Sequence, residues 1–94
     1  MQISVRELLS LNNPNIIDIR SFEKYNDNHI PGARNIVSND LVSNPSKYLD
    51  RNSTYYIYCQ KGITSKSTAN MLRMLGYNVI DVAGGYESYI LNNF

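Results

Sequence analysis

The only cysteine of the chain, Cys59, stands between a strand pattern and a loop that contains glycine. Residues 55–58 are apolar and rich in tyrosine, which predicts a strand that ends at the cysteine. Gly62 and a polar run over residues 64–68 predict a tight loop and a helix start. The free N–H groups of such a loop and the helix dipole favour an anion at the sulfur, and they lower the thiol pKa from about 8.5. The pattern therefore predicts a thiolate or a persulfide at Cys59.

The loop after Cys59 supplies the candidate binding groups. A thiolate would attack a sulfur donor, and the backbone N–H groups of residues 60–65 could hold the resulting anion. Lys61 is expected to attract an anionic donor, whereas Thr64 and Ser65 are expected mainly to cap the following helix. The predicted catalytic residue is Cys59, and the predicted substrate-binding residues are Gln60, Lys61, Gly62, Ile63, Thr64, Ser65 and Arg20.

Other polar residues have structural interpretations. Arg20 follows a strand pattern and is expected at the same sheet edge as Cys59, while Asp18 is expected to form a structural ion pair or strand-end hydrogen bond. His29 is the only histidine and the only candidate base for a cysteine hydrolase. It lies in a Pro-Gly turn over residues 29–33, and we interpret its role as part of that turn.

Strand and helix patterns alternate along the chain. Strands are predicted over residues 16–19, near 35–37, and over 54–58 and 78–82. Helices are predicted from Val5, over 21–25, over 65–75 with Gly76 as the C-terminal cap, and over 86–91. The first helix has Ser4 as its cap and an apolar face of Val5, Leu8, Leu9 and Leu11, and the third has Ala69, Leu72 and Leu75 facing inward. Residues 40–49 are ambiguous, with a helical turn expected near 46–49.

This alternation, with strands that are apolar throughout, predicts an α/β fold with a mostly parallel central sheet and helices on both faces. Ligands of such sheets bind beyond the carboxyl ends of the strands, which is where Cys59 is expected. The chain has 94 residues, 43% of them hydrophobic, and we expect one domain over residues 1–94.

The composition argues against several function classes. A net charge of +1 gives no basic stripe for nucleic acid beside the eight tyrosines, and no apolar run is long enough to span a membrane. One cysteine and one histidine favour neither a disulfide nor a metal site, and no cofactor is expected. A single thiol suits a reducing compartment, so a cytoplasmic location is expected.

Four motifs, in order along the chain, resemble the single-domain rhodanese family. They are Asp18-Ile19-Arg20, the turn His29-Ile30-Pro31-Gly32-Ala33, the loop Cys59-Gln60-Lys61-Gly62-Ile63-Thr64-Ser65, and Gly84-Gly85 followed by Tyr89. The resemblance implies a rhodanese-like fold and sulfane-sulfur transfer through a cysteine persulfide. Thr64 replaces an arginine that many members carry, which leaves open whether thiosulfate is the donor. Tyr89 replaces the usual tryptophan, a conservative change.

The resemblance implies a small sulfur donor such as thiosulfate or a persulfide, and a thiol or cyanide acceptor. A thioredoxin-like or sulfur-carrier protein could serve as the partner. Two alternatives are a non-catalytic rhodanese-like binding module and a phosphatase. The retained Cys59 argues against the binding module. Ser65, where a phosphatase loop would have its arginine, argues against the phosphatase, because a phosphoryl group would lack its bidentate clamp.

Overall fold

The computed structural model describes residues 1–92, and its centre is a five-stranded parallel sheet. The strands are β1 (Gln2–Ile3), β2 (Asn15–Asp18), β3 (Arg34–Asn35), β4 (Thr54–Tyr58) and β5 (Asn78–Val82). Their order across the sheet is β1-β5-β4-β2-β3, and every neighbouring pair is parallel. All carboxyl ends therefore meet at one edge, and the longest strands, β4 and β5, lie side by side near the middle.

Within residues 1–92, six helices connect and flank the strands. They are α1 (Val5–Ser10), α2 (Phe22–Asp27), α3 (Ser38–Ser43), α4 (Pro45–Tyr48), α5 (Thr64–Met74) and α6 (Gly85–Asn92). Ser4 opens α1 with a capping box, in which Ser4 and Glu7 satisfy each other's backbone N–H groups. Gly76 follows α5 at a φ of 95°, a conformation that glycine adopts without steric cost. None of the helices in residues 1–92 has the length and hydrophobicity of a membrane span.

The core lies on both faces of the sheet, as alternation along the strands requires. On one face, α3, α4 and α5 pack against Ile17, Ile57 and Val79. On the other, α1 and α6 pack against Ile16, Tyr58 and Val82. The predicted parallel α/β sheet covered on both faces is confirmed, and Cys59, two residues after Ile57, falls on the α5 face.

Several details differ from the prediction. The two-residue strand β1 was not predicted, because two residues carry no periodic signal. The ambiguous segment forms two short helices, α3 and α4, and β3 begins one residue earlier and ends two residues earlier than expected. Leu75, expected to face inward, is 47% exposed because α5 ends at Met74, and Leu9 and Leu11 are also exposed.

Candidate active site

Cys59 lies immediately after β4 and is buried. Its residue exposure is 7%, and it packs with the core residues on the α5 face. Cys59 thus lies at the carboxyl edge of the sheet, as expected, but its side chain is largely buried there. The loop after Cys59 and the start of α5 close over the sulfur, because three of their polar groups are hydrogen-bonded to it.

Those three groups form a cradle around the sulfur atom, which we call the Cys59 cradle. The backbone N–H groups of Gly62 and Ser65 donate to Sγ at 3.2 Å and 3.3 Å, and the Ser65 hydroxyl oxygen lies 3.3 Å from it. Burial raises the pKa of the Cys59 thiol, but hydrogen bonds from Ser65, Gly62 and Lys61 favour the thiolate more strongly. The net result is a pKa below the ordinary value for cysteine, the direction that the sequence predicted.

The cradle has its shape because two glycines, Gly62 and Gly85, allow backbone segments to come into contact. Gly62 adopts a φ of 88°, and a Cβ on it would lie 2.8 Å from the backbone nitrogen of Gly84. Gly85 is tighter still, since a Cβ there would lie 2.3 Å from the carbonyl oxygen of Cys59. The start of α6 then donates from Tyr86 to the Cys59 carbonyl at 2.9 Å and from Glu87 to the Gln60 carbonyl at 3.0 Å. The Gly84-Gly85 segment thus braces the loop from behind.

An open cavity of about 520 Å³ lies in front of Cys59. Of the predicted binding residues, it is lined by Arg20, Gln60, Lys61, Ile63 and Thr64, and also by Ile19, Ser21 and Lys24, which were not predicted. Gly62 and Ser65 do not line it, because they lie behind the sulfur and contact it directly. Within residues 1–92 no acidic side chain lines the cavity, so it suits an anion.

Arg20 is held at the cavity wall by a network of its own. Its guanidinium contacts both carboxylate oxygens of Asp18, with the closest at 2.8 Å, and donates to the side-chain oxygen of Gln60 at 3.0 Å. Burial opposes the charge on Arg20, but Asp18 more than compensates and raises the pKa of Arg20. The expected ion-pair role of Asp18 is confirmed. Since the charge of Arg20 is largely neutralised, Lys24 and Lys61 are the cavity's unpaired cations within residues 1–92.

Tyr58 completes this network, which we call the Asp18 cluster: Asp18, Arg20 and Tyr58. The Tyr58 hydroxyl donates to Asp18 at 2.7 Å and accepts from the Ile30 N–H at 3.1 Å. Burial, followed by the hydrogen bond to Asp18, raises the pKa of Tyr58. The cluster thereby ties the end of β4 to the turn that contains Ile30, and within residues 1–92 none of its side chains is hydrogen-bonded to the sulfur.

Thr64 and Ser65 do not cap α5, contrary to the prediction. The N-cap residue is Ile63, and no side chain caps the helix. Thr64 lines the cavity instead, and Ser65 is buried, with its hydroxyl donating to Asp81 at 2.5 Å. The prediction failed because serine near a helix start is usually a cap, whereas this one faces the strand β5.

His29 lies outside the cavity lining. Its ring stacks on Tyr25 at a centroid distance of 3.9 Å, and its Nδ1 lies 2.8 Å from the Tyr25 carbonyl oxygen. The structural interpretation of His29 is therefore confirmed, and no cysteine hydrolase pair is formed with it.

Two residues near the site had a signal in the sequence that was not used. Asp81 is a carboxylate inside an apolar strand pattern, which indicates a buried charge, and buried charges are candidates for functional sites. Lys24 lies on the short helix that follows Arg20, so the same argument that placed Arg20 at the carboxyl edge applies to it.

Comparisons with known proteins agree with this geometry. The Rhodanese-like domain family matches residues 2–92. The Escherichia coli protein "Thiosulfate sulfurtransferase PspE" is 33% identical over 72 residues, which cover 76% of this chain and 69% of that protein. The Ogataea parapolymorpha protein "Adenylyltransferase and sulfurtransferase uba4" is 31% identical over 94% of this chain, but the chain spans only 23% of its length.

A solved structure shows the same fold. The human single-domain sulfurtransferase TSTD1 superimposes with a TM-score of 0.86 at 26% identity, covering 97% of this chain and 96% of that one. The fold, the cysteine at the carboxyl edge and the whole-length family match lead to one conclusion: this chain belongs to the Rhodanese-like domain family.

Proposed function

We propose that this chain is a sulfurtransferase that carries sulfane sulfur as a persulfide on Cys59. The observation that carries the proposal is the Cys59 cradle, in which two N–H groups are directed at the buried sulfur at 3.2 Å and 3.3 Å. Such a cradle stabilises negative charge on sulfur, first on the thiolate and then on the persulfide. The names of relatives as sulfurtransferases support the same activity.

The reaction has two displacement steps. The Cys59 thiolate attacks the outer sulfur of the donor, and the donor's sulfur–sulfur bond breaks. The leaving group departs with the electron pair, as sulfite from thiosulfate or as a thiolate from a persulfide. A nucleophilic thiolate or cyanide then attacks the outer sulfur of the Cys59 persulfide, and the Cys59 thiolate is released again.

The cavity in front of Cys59 is suited to small anionic donors. Lys24 and Lys61 supply positive charge there, while Thr64 stands where many rhodaneses have an arginine. A threonine cannot form the bidentate contact of an arginine with an oxyanion. Thiosulfate is therefore proposed as a donor that binds through the lysines, and a small persulfide as the other donor.

The acceptor must come from outside the chain. Cys59 is the only cysteine, so its persulfide cannot be resolved by an internal disulfide. We propose a small thiol, or the cysteine of a thioredoxin-like or sulfur-carrier protein, as the acceptor. A Bacillus subtilis relative is named "Putative sulfur carrier protein YrkF", which supports that class of partner. A cytoplasmic location, where thiols stay reduced, is part of this proposal.

Mass spectrometry tests the proposal directly. The intact protein is measured before and after incubation with thiosulfate or with a small-molecule persulfide, and again after cyanide. We expect Cys59 to gain the mass of one sulfur atom and to lose it with cyanide. Cys59→Ser is the matched control and should gain nothing, with an unchanged circular dichroism spectrum.

The alternative function gives the opposite result. A non-catalytic rhodanese-like binding module would be folded yet would gain no sulfur from either donor. Gain of sulfur in Cys59→Ser would place the chemistry elsewhere and would also reject the proposal. A further check is persistence: the persulfide should decay more slowly in the folded protein than in urea, because the Cys59 cradle is lost on unfolding.

A further inference from the structure

The Ser65 hydroxyl lies between two groups that compete for its proton. Its oxygen is 2.5 Å from Oδ1 of Asp81 and 3.3 Å from Sγ of Cys59. Ser65 is completely buried, so its hydroxyl is not exposed to bulk solvent. A hydroxyl group has one proton to donate, and it can serve only one of the two neighbours at a time.

In this arrangement the proton of Ser65 points to Asp81. The other oxygen of Asp81 accepts from the side-chain amide of Gln2 at 3.3 Å. Both side-chain contacts of Asp81 are thus donors, which fits a carboxylate that can only accept. Asp81 is 1% exposed, and within residues 1–92 no lysine, arginine or histidine pairs with it. The Ser65 oxygen is left to accept the S–H of the Cys59 thiol.

A charged sulfur needs the opposite arrangement. A thiolate has no proton to donate, so Ser65 stabilises it only by turning its own proton away from Asp81 and towards Sγ. Asp81 would then keep only the contact with Gln2, in a buried site where an unpaired carboxylate is costly. The thiolate and the carboxylate therefore compete for one proton.

We propose that Asp81 is a positioning residue that holds the hydroxyl proton of Ser65 and withholds it from the Cys59 sulfur until that sulfur becomes charged. The inference rests on the proposed function in that Cys59 is taken as the nucleophile. The thiolate is favoured by the cations that line the cavity in front of Cys59, which are Lys24, Lys61 and the paired Arg20. Asp81, on β5, opposes their effect. Cys59 at rest thereby keeps a larger share of thiol than its two N–H donors alone would give.

Alkylation by iodoacetamide as a function of pH tests this inference, since Cys59 is the only thiol. Asp81→Asn keeps the shape of the side chain and removes its charge. At a pH below the wild-type midpoint, we expect this variant to be alkylated roughly fivefold faster, because more thiolate is present. Ser65→Ala should be alkylated more slowly, because the thiolate loses a donor.

The double variant separates positioning from simple charge repulsion. If Asp81 acts through Ser65, Asp81→Asn in the Ser65→Ala background should give less than half of the acceleration that it gives in the wild type. Equal acceleration in both backgrounds would show that Asp81 acts on the sulfur by charge alone and would overturn the inference. Unchanged or slower alkylation of Asp81→Asn would overturn it as well.

A measurement on the unmutated protein removes any dependence on how the variants fold. The ¹³C signal of the Asp81 carboxyl group is followed through the Cys59 titration, with the Asp18 carboxyl as the internal control. The Asp81 signal should move at the pH where the thiolate forms, and the Asp18 signal should stay. An Asp81 signal that does not move would contradict the inference. Neither alkylation nor the ¹³C signal depends on sulfur transfer. A failure of the inference about Asp81 can therefore be distinguished from a failure of the proposed function.

Discussion

Two buried carboxylates lie near the carboxyl edge of the sheet, and their surroundings are opposite. Asp18 is fully buried, and it accepts hydrogen bonds from the Arg20 guanidinium and the Tyr58 hydroxyl. Asp81 is equally inaccessible, but its side-chain donors are the neutral groups of Gln2 and Ser65. Within residues 1–92, Asp18 is paired with a positive charge and Asp81 is not.

This difference suggests that one carboxylate has a structural role and the other acts on the reactive thiol. A buried charge without a counter-charge is costly, and removing one partner of a buried ion pair leaves such a charge behind. In the Asp18 cluster the carboxylate is paired with the Arg20 guanidinium, and Tyr58 holds the turn at Ile30 to β4. Asp81 remains uncompensated at the place where its neighbour Ser65 contacts the sulfur of Cys59. We therefore expect Asp18 to determine stability and Asp81 to determine reactivity.

The matched pair Asp18→Asn and Asp81→Asn tests this contrast with the largest expected effect. Asp18→Asn leaves a buried guanidinium without its counter-charge and should lower the free energy of unfolding by about 3–5 kcal/mol. Asp81→Asn removes an unpaired charge and should cost much less. Urea unfolding measures both. Destabilisation of similar size in the two variants would show that the contrast has no energetic basis.

The Cys59 cradle depends on backbone contact, and Gly85→Ala should disrupt it. The added Cβ would lie 2.3 Å from the Cys59 carbonyl oxygen, at a φ of 60°. We expect a loss of about 2–4 kcal/mol in stability and a Cys59 pKa that moves upward, because the loop must shift away from the sulfur.

Gly32→Ala is the matched control for that substitution. Gly32 also has a positive φ, of 86°, but a Cβ there would meet nothing within 4 Å. It should cost only the strain of the backbone conformation, about 1–2 kcal/mol, with unchanged alkylation of Cys59. If the two glycine variants lose the same stability and alkylate alike, close contact at Gly85 does not shape the site.

The sequence was sufficient to predict the elements that have a periodic apolar pattern or a turn-forming glycine. The apolar run of β4, the polar start of α5 and the glycine at Gly62 predicted the sheet, the helix and the loop around Cys59. The depth of the sulfur could not be predicted, because it depends on how closely the backbone at Gly85 approaches, a contact between distant segments. The role of Ser65 was missed for the same reason, since its partner Asp81 lies sixteen positions along the chain.

The lysines of the cavity should affect donor selection more modestly. Lys61→Ala and Lys24→Ala should each lower the rate of sulfur loading from thiosulfate by roughly threefold to tenfold, and loading from an uncharged organic trisulfide by less. Lys66→Ala is the control, because Lys66 is exposed on α5 and does not line the cavity. The effects should shrink as salt is added. Equal losses with both donors would show that the lysines act through loop shape rather than charge.

The smallest effect is a pH dependence of stability that belongs to Cys59 alone. The pKa of Cys59 is lowered on folding, so the thiolate favours the folded state. The thiolate's contribution to the free energy of unfolding is fully present above the pKa of Cys59 in the unfolded chain, about 8.5. It is lost as pH falls through the pKa of Cys59 in the folded protein. Between those two values, stability should rise with pH, with a slope below about 1.4 kcal/mol per pH unit, the limit for one proton.

The comparison with Cys59→Ser isolates this contribution. Groups other than Cys59 that titrate in the same window contribute equally to both proteins and cancel in the difference. Arg20 and Tyr58 add no slope there, because their pKa values are raised further above the window. Urea unfolding of both proteins at several pH values should therefore show a stability difference that grows towards alkaline pH. A difference that stays flat would mean that the cradle holds the thiol and the thiolate equally well, and the argument from the two N–H donors would fail.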